Sequence, residues 1–329
     1  MPSKDSNVAI NANTRESVFK RFDWRSYIVY IAFIVVLIYF SITLYSDGFL
    51  SVGNLLNIIR QTAMISIMGA AMTFVISTGE IDLSVGSTAA LASLTTALAL
   101  ENEWGLAIAI IIGLGTGLII GIVNGLLVTK ANIPSFLVTL GMMSIVSGLA
   151  MWITGTSPVT IIDSTFNFVF GGGDIGPVPI LLIWTLVIAV IAHILLRKTK
   201  FGRQTLATGG NENAARFSGI NTLKIKLYVF VGTGVMAALA GMLYAGRLHA
   251  GRYTLGTGDE LSVIAAVILG GTSLFGGVGT VIGTIIGSLM IGTINNGLII
   301  AGLDVSQQTM IRGLIIILAV AFGKKTLKK

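Results

Sequence analysis

The sequence predicts an all-α polytopic membrane protein, and three observations carry that reading. Of the 329 residues, 54% are hydrophobic and only 11% are charged. Apolar runs of helical length recur along the chain, and the basic residues gather in a few of the links between them. A soluble domain carries roughly 25% charged residues, so a chain this poor in charge needs lipid as its solvent. The net charge of +7 is therefore read as topology and not as a nucleic-acid footprint. The 41 glycines suit close packing of helices in a membrane. With no cysteine and only His193 and His249, far apart, neither a disulfide framework nor a metal centre is expected.

The polar residues 1–27 read as a disordered cytoplasmic tail. The run Ile28–Ser46 would be about 28 Å long as a helix, close to the hydrocarbon thickness. It is longer than a signal-peptide core and is read as a retained span. Nine more apolar runs follow at roughly 57–79, 83–100, 105–128, 135–154, 179–196, 226–246, 261–272, 278–300 and 307–322. The eighth is short and runs into the glycine-rich Gly270–Gly277, as a broken helix would. This gives about ten spans within a permease domain over 28–322, and a basic cytoplasmic tail over 323–329.

Charge sets the direction. With both termini cytoplasmic, all of the 21 basic residues except Arg60, Arg247, Arg252 and Arg312 fall in inner segments. The outer links then carry Glu101, Glu103, Asp163, Asp174, Asp259, Glu260 and Asp304. That is the positive-inside pattern, and it holds for an even number of spans.

Two glycine ladders echo one another. The fourth span carries Gly113, Gly117, Gly121 and Gly125, and the ninth carries Gly279, Gly283, Gly287 and then Gly292. Both end in Asn-Gly-Leu, at Asn124 and Asn296. Thr78-Gly79-Glu80-Ile81-Asp82-Leu83-Ser84-Val85 is matched, with a gap, by Thr257-Gly258-Asp259-Glu260-Leu261-Ser262-Val263. In the ten-span topology the two copies lie on opposite sides, which predicts an inverted repeat of spans 2–5 and 7–10.

Three stretches carry a family resemblance. They are Val75–Ser87, Phe201-Gly202-Arg203 continuing through Ala207–Ile220, and Ala265–Gly279. In this order they resemble the permease subunits of bacterial ABC importers for monosaccharides, the ribose-type permeases, over nearly the whole chain after residue 27. Glu80 stands where the commonest form of the first stretch has glycine, so that stretch does not by itself specify a sugar. The related branched-chain amino-acid permeases share the layout but not usually the Ile-Asp-Leu-Ser-Val-Gly string. The resemblance implies the bacterial cytoplasmic (inner) membrane, an ABC ATPase partner and an extracytoplasmic sugar-binding protein. It also implies a second permease copy or a paralogue. Nucleic acid is not expected as a partner, and membrane lipid is.

The basic loop 197–225 is the most informative segment. Asn211 is placed to cap a short helix through Glu212, Asn213, Ala214, Ala215, Arg216 and Phe217, with Ser218 at its end and Gly219 stopping it. Glu212 and Arg216 can pair across one turn. The resemblance implies that this is the coupling helix, seated in a cleft of the ATPase. From charge alone it is equally an ordinary basic loop. Glu80 and Asp82 close the second span, either as a gate or contact, or with Asp82 capping the third span beside Ser84. In the fifth span Gly141, Ser144, Ser147 and Gly148 form a small, weakly polar stripe that suits a sugar path or plain helix packing. The resemblance implies that spans 5 and 10 face the dimer axis. Arg312 in the tenth span, one turn after Gln307 and Gln308, snorkels outward, pairs with Asp304 or, with Gln308, lines the translocation path. The outer loop 155–178 could receive the binding protein or be a solvated connector. His249, Arg247 and Arg252 make an outer basic patch.

No nucleotide-binding loop is present; Gly323-Lys324-Lys325-Thr326 lacks the upstream glycine. The chain is thus expected to hold no cofactor, ATP being used by partner subunits. No side-chain cluster offers an acid, a base and a nucleophile together, so an enzyme is not expected. An ion-coupled secondary transporter is the alternative. It needs an embedded carboxylate, whereas the 14 acids read as tail, loop or span-end residues.

Overall fold

The computed structural model describes residues 28–324. The expected tail 1–27, and residues 325–329 of the basic tail, lie outside the described residues. The chain is almost wholly helical. It opens with α1 (Ile28–Thr43), α2 (Val52–Ser77), α3 (Val85–Glu101), α4 (Leu106–Thr129) and α5 (Ser135–Thr154). A connector holds β1 (Val159–Thr160), α6 (Ser164–Asn167), a π-turn over Phe168–Gly172, β2 (Asp174–Ile175) and β3 (Val178–Pro179). Then follow α7 (Ile180–Lys198), α8 (Lys200–Gly210), α9 (Glu212–Phe217) and α10 (Thr222–Leu248). The chain closes with β4 (Ala250–Gly251), α11 (Asp259–Leu269), α12 (Val281–Ile300) and α13 (Val305–Lys324).

Six helices, α2, α4, α5, α7, α10 and α12, are long and apolar enough to cross a membrane; α1 and α3 are apolar but shorter. At 11 residues, α11 is only about 16 Å long, roughly half a hydrocarbon core. The helix of the eighth apolar run is therefore too short to cross alone, and the glycine-rich continuation leaves the helix, as the sequence led us to expect.

Helix starts are set by side-chain caps. Ser51, Thr199, Asn211, Asn221 and Thr280 each accept a backbone N–H from the first turn of the following helix. At α13 the Asp304 carboxylate accepts the Gln307 N–H while the Gln307 side chain accepts the Asp304 N–H, a reciprocal capping box.

The core lies where α2, α3 and α10 meet. α3 is buried nearly all round, which its composition of alanine, serine and threonine allows. Packing is reciprocal: α10 lies along α4 as α2 lies along α12, and α2 touches α10. Likewise α3 meets α4, α5 and α10, while α11 meets α12, α13 and α2. The glycine ladders line these seams. Gly117, Gly121 and Gly125 face Gly234, Phe230 and Leu227 of α10, and Gly287 and Gly292 face Ala266 of α11 and Thr62 of α2. At Gly117, Gly121 and Gly287 a Cβ would collide with the backbone across the seam.

Two non-helical links run inside this bundle. Residues 78–84 lead from α2 to α3, and residues 249–258, including β4, lead from α10 to α11. The second link meets the first turn of α3, where Gly86 abuts Gly256 so closely that neither position has room for a side chain. α3 begins beside the interior of α10, where Gly241 abuts the Ala89 carbonyl. Backbone polar groups in such a place need partners. Ile81 N–H donates to Ser135 Oγ at 3.2 Å, and Ile81 C=O accepts Thr139 Oγ1 at 3.3 Å.

Candidate functional site

The end of the bundle that carries α8 and α9 holds the densest set of charged contacts. α8 was expected only as part of a basic loop. It is a helix because Thr199 caps it and Phe201 stacks on Phe74 of α2 at 6.0 Å. Its closing glycine pair sits on the break points, with Gly209 against the Ser77 carbonyl and Gly277. The Gly277 N–H also donates to the Ser77 carbonyl at 3.0 Å. Asn211 then starts α9, its Oδ1 accepting Ala214 N–H at 3.0 Å. Gly219 ends it in the left-handed region at φ +82°. The short helix expected from sequence is present. Ala215 is buried beneath it, whereas Asn213, Ala214, Arg216, Phe217 and Ser218 are exposed. Phe217 is 93% exposed, an apolar side chain standing free of its own bundle.

Glu212 is the hub. Its Oε1 accepts Arg216 at 2.6 Å and Thr222 Oγ1 at 3.1 Å, and its Oε2 accepts Lys226 Nζ at 2.8 Å. Lys226, one turn into α10, also lies 2.7 Å from Glu80 Oε1. Lys226 and Glu80 are only 13% and 14% exposed, so this pair is not a freely screened surface contact. Burial pushes the Glu212 carboxyl up, but the bonds from Lys226, Arg216 and Thr222 outweigh it and hold the carboxyl below its ordinary range. Glu80, Glu212, Arg216 and Lys226 line a cavity of about 240 Å³ together with Val128, Ile133, Pro134 and Leu223.

Sequence reasoning found Glu80, Glu212 and Arg216 but not Lys226, which it treated as one more positive loop residue. The available signal was a lysine already inside an apolar run, Lys226-Leu227-Tyr228-Val229-Phe230.

Asp82 is not at an exposed interface, as its place near a span end suggested; it is 1% exposed. Its Oδ1 accepts both the N–H and the hydroxyl of Ser84, at 2.9 and 2.6 Å. Asn124 of α4 in turn donates to Ser84 Oγ at 2.9 Å. Asp82 thus fixes the turn ahead of α3 through Ser84 and gives α3 no direct cap. Glu80 faces Lys226, so the two acids of the motif are divided between separate tasks.

A second polar group lies deeper. Tyr244 OH donates to Asp259 Oδ2, and a Cβ on Gly86 would fall 2.6 Å from Glu260 Oε2. Asp82 lies in a link and Asp259 and Glu260 begin α11, yet Asp82 is buried and the other two are half-buried. The expectation that every acid is peripheral therefore fails in space. Arg312 does not pair with Asp304, whose carboxylate is taken up by the α13 cap and by Ser306. Its guanidinium instead lies near Gly258, where an added Cβ would fall 3.9 Å from Nη1. Its Nε is enclosed with no hydrogen-bond partner among the described residues. Gln308 donates back to the Leu303 carbonyl at 2.8 Å. In α5, Gly141, Ser144 and Gly148 are exposed and Ser147 is half-buried. A Cβ at Gly141 or Gly148 would meet nothing within 4 Å. Packing within the chain is therefore not what the two glycines serve.

At the opposite end, residues 155–178 are folded and not a loose connector. Phe166 and Phe170 stack at 4.8 Å, and Phe170 stacks on Trp184 at 5.8 Å. The expected basic patch does not form as such. Arg247 is half-buried and donates to the Arg60 carbonyl at 3.3 Å, and Arg60 pairs with Asp174 at 2.8 and 2.9 Å.

Comparison with known proteins gives the family. Residues 54–320 match the family described as branched-chain amino acid transport system / permease component. The chain is 42% identical over 294 residues to the ribose import permease protein RbsC of Bacillus subtilis, covering 89% of this chain and 90% of that protein. It is 42% identical over 287 residues to the probable ABC transporter permease protein YphD of Escherichia coli, covering 87% and 86%. It is 36% identical over 301 residues to the L-arabinose transport system permease protein AraH of Escherichia coli, covering 92% and 91%. No solved structure matches the chain. The chain belongs to this family of transport-system permease components, and it is a multi-pass membrane protein.

Proposed function

We propose that this chain is the membrane-spanning permease subunit of an ATP-driven ABC importer in the bacterial cytoplasmic membrane, moving a monosaccharide. The observation that carries the substrate class is the similarity, at 42% and 36% identity over about nine-tenths of the chain, to permeases named for ribose and L-arabinose. The chain binds no nucleotide itself and catalyses no reaction; a partner ATPase uses ATP and seats on α9. A binding protein delivers sugar at the opposite end, and a second copy or a paralogue completes the path along α5 and α13.

The distribution of basic residues supports ten spans with both ends in the cytoplasm, and the reciprocal packing of α2–α5 with α10–α13 supports two inverted halves. Residues 28–322 form the permease domain, flanked by tails 1–27 and 323–329. Because the chain has no cysteine, a single cysteine placed at Ser6 or Thr326 reports the side of each tail; labelling from outside would overturn this topology.

The function is tested by reconstituting the permease with its ATPase and binding protein and measuring uptake of labelled pentoses and hexoses. ATP-dependent uptake of at least one sugar is expected. Uptake that persists without the ATPase would favour ion coupling, and uptake of an amino acid alone would overturn the sugar assignment.

A further inference from the structure

The charged hub under α9 continues into the bundle by an unbroken series of short contacts. Glu212 belongs to α9, the element proposed to meet the ATPase. Its Oε2 accepts Lys226 Nζ at 2.8 Å, and the same ammonium lies 2.7 Å from Glu80. Glu80 lies in the non-helical link 78–84, directly after Gly79, whose φ of +83° marks the sharp turn out of α2. The next residue, Ile81, is bonded through both backbone groups to the first turn of α5, at Ser135 and Thr139. α5 carries the open stripe of Gly141, Ser144 and Gly148.

One lysine therefore stands between two carboxylates that belong to separate pieces of the chain. On one side is a six-residue helix held to the bundle by Ala215 and a few polar bonds. On the other is an extended link pinned to α5. Glu212 spends its other oxygen on Arg216 and Thr222, so Lys226 is its contact to the link side. A largely buried ammonium between two anions cannot leave one of them without stranding charge. Displacement of α9 must then either drag Glu80 along or break a costly pair.

We infer that Lys226 is a positioning residue that passes movement of α9, through Glu80 and the 78–84 link, to α5. This rests on the importer reading for what moves α9, but the chain of contacts can be tested without it.

The first test uses the full-length permease alone. Glu212→Gln should loosen α9 and also raise amide hydrogen exchange at Ile81 and over residues 135–139 by about fivefold or more, a typical size for coupling between sites. In a Lys226→Met background the same Glu212→Gln change should loosen α9 without any added effect on Ile81 or α5. Loosening of α9 that leaves Ile81 and α5 unchanged overturns the inference, as does an undiminished effect in the Lys226→Met background. Should Lys226→Met fail to fold, Glu80→Gln severs the same chain with little change of shape and decides the matter.

The second test uses the assembled transporter and reads sugar imported per ATP hydrolysed. Glu80→Gln should lower that ratio by about fivefold or more, and Lys226→Arg should keep it near the wild type. An unchanged ratio in Glu80→Gln overturns the inference. If the wild type shows no ATP-driven uptake at all, the importer reading falls while the exchange experiment still decides the role of Lys226.

Discussion

Asn54 and Asn296 exchange hydrogen bonds, the side-chain amide of each donating to the carbonyl oxygen of the other at 3.0 and 2.9 Å. The pair ties the first turn of α2 to the last turns of α12. Along the same seam Ser66 meets Ser288 at 2.5 Å, and Thr73 meets Thr284 at 2.8 Å. A seam of small residues and matched polar groups is how helices associate where lipid offers no hydrophobic gain. We expect Asn296→Ala and Asn54→Ala to be non-additive in thermal unfolding in detergent, with a coupling of about 0.5–2 kcal/mol. Additive losses would show that the two amides do not act as a pair.

Glycines in this chain fall into two sets, and substitution should separate them. Gly86→Ala places a methyl against the Gly256 backbone and should destabilise the subunit by about 1–3 kcal/mol or prevent its accumulation. Gly141→Ala and Gly148→Ala meet no atom and remove helix-interior glycines, so the isolated subunit should be as stable or slightly more so. Sugar uptake should nevertheless fall in both if the open face of α5 lines the path. Wild-type uptake in both variants would remove α5 from it.

The two alanines of α9 also differ. Ala214 is exposed and Ala215 is buried. Ala214→Glu and Phe217→Ala should leave thermal stability within about 0.5 kcal/mol of the wild type and weaken binding of the ATPase in pull-down. Ala215→Glu should instead unseat α9 itself, since it buries an unpaired charge. Full ATPase binding by Ala214→Glu together with Phe217→Ala would sink the docking role.

Docking of α9 should depend on acid pH. The Glu212 carboxyl is held below its ordinary value of 4.5. A depressed carboxyl contributes stability that is complete above the ordinary value and is lost as pH falls through the lowered one. Exchange protection of α9 should therefore be flat above about pH 4.5 and decline below it. Glu212→Gln should flatten that decline; the same decline in the variant would assign the titration to another group.

Much of this protein was legible in its sequence. That the chain is helical and crosses a membrane several times follows from hydropathy, because lipid acts on every residue independently of its neighbours. The α9 cap and the Glu212–Arg216 pair were legible because they lie within four residues of one another. The break after the eighth apolar run showed in its glycines. What the sequence could not show is which distant groups meet. That Lys226 serves both Glu80 and Glu212, and that Arg312 lies beside Gly258 while Asp304 is taken up by its cap, depends on how the two links enter the bundle. Nor does chain position reveal that Asp82 is enclosed, because a helix end is at the surface only when the helix spans the whole bundle. Ordering along the chain, hydropathy and short-range capping are local properties, which a sequence carries by itself. The meeting of Gly86 with Gly256, and the polar clusters on either side of it, come from the packing of one half against the other, which only the tertiary structure decides.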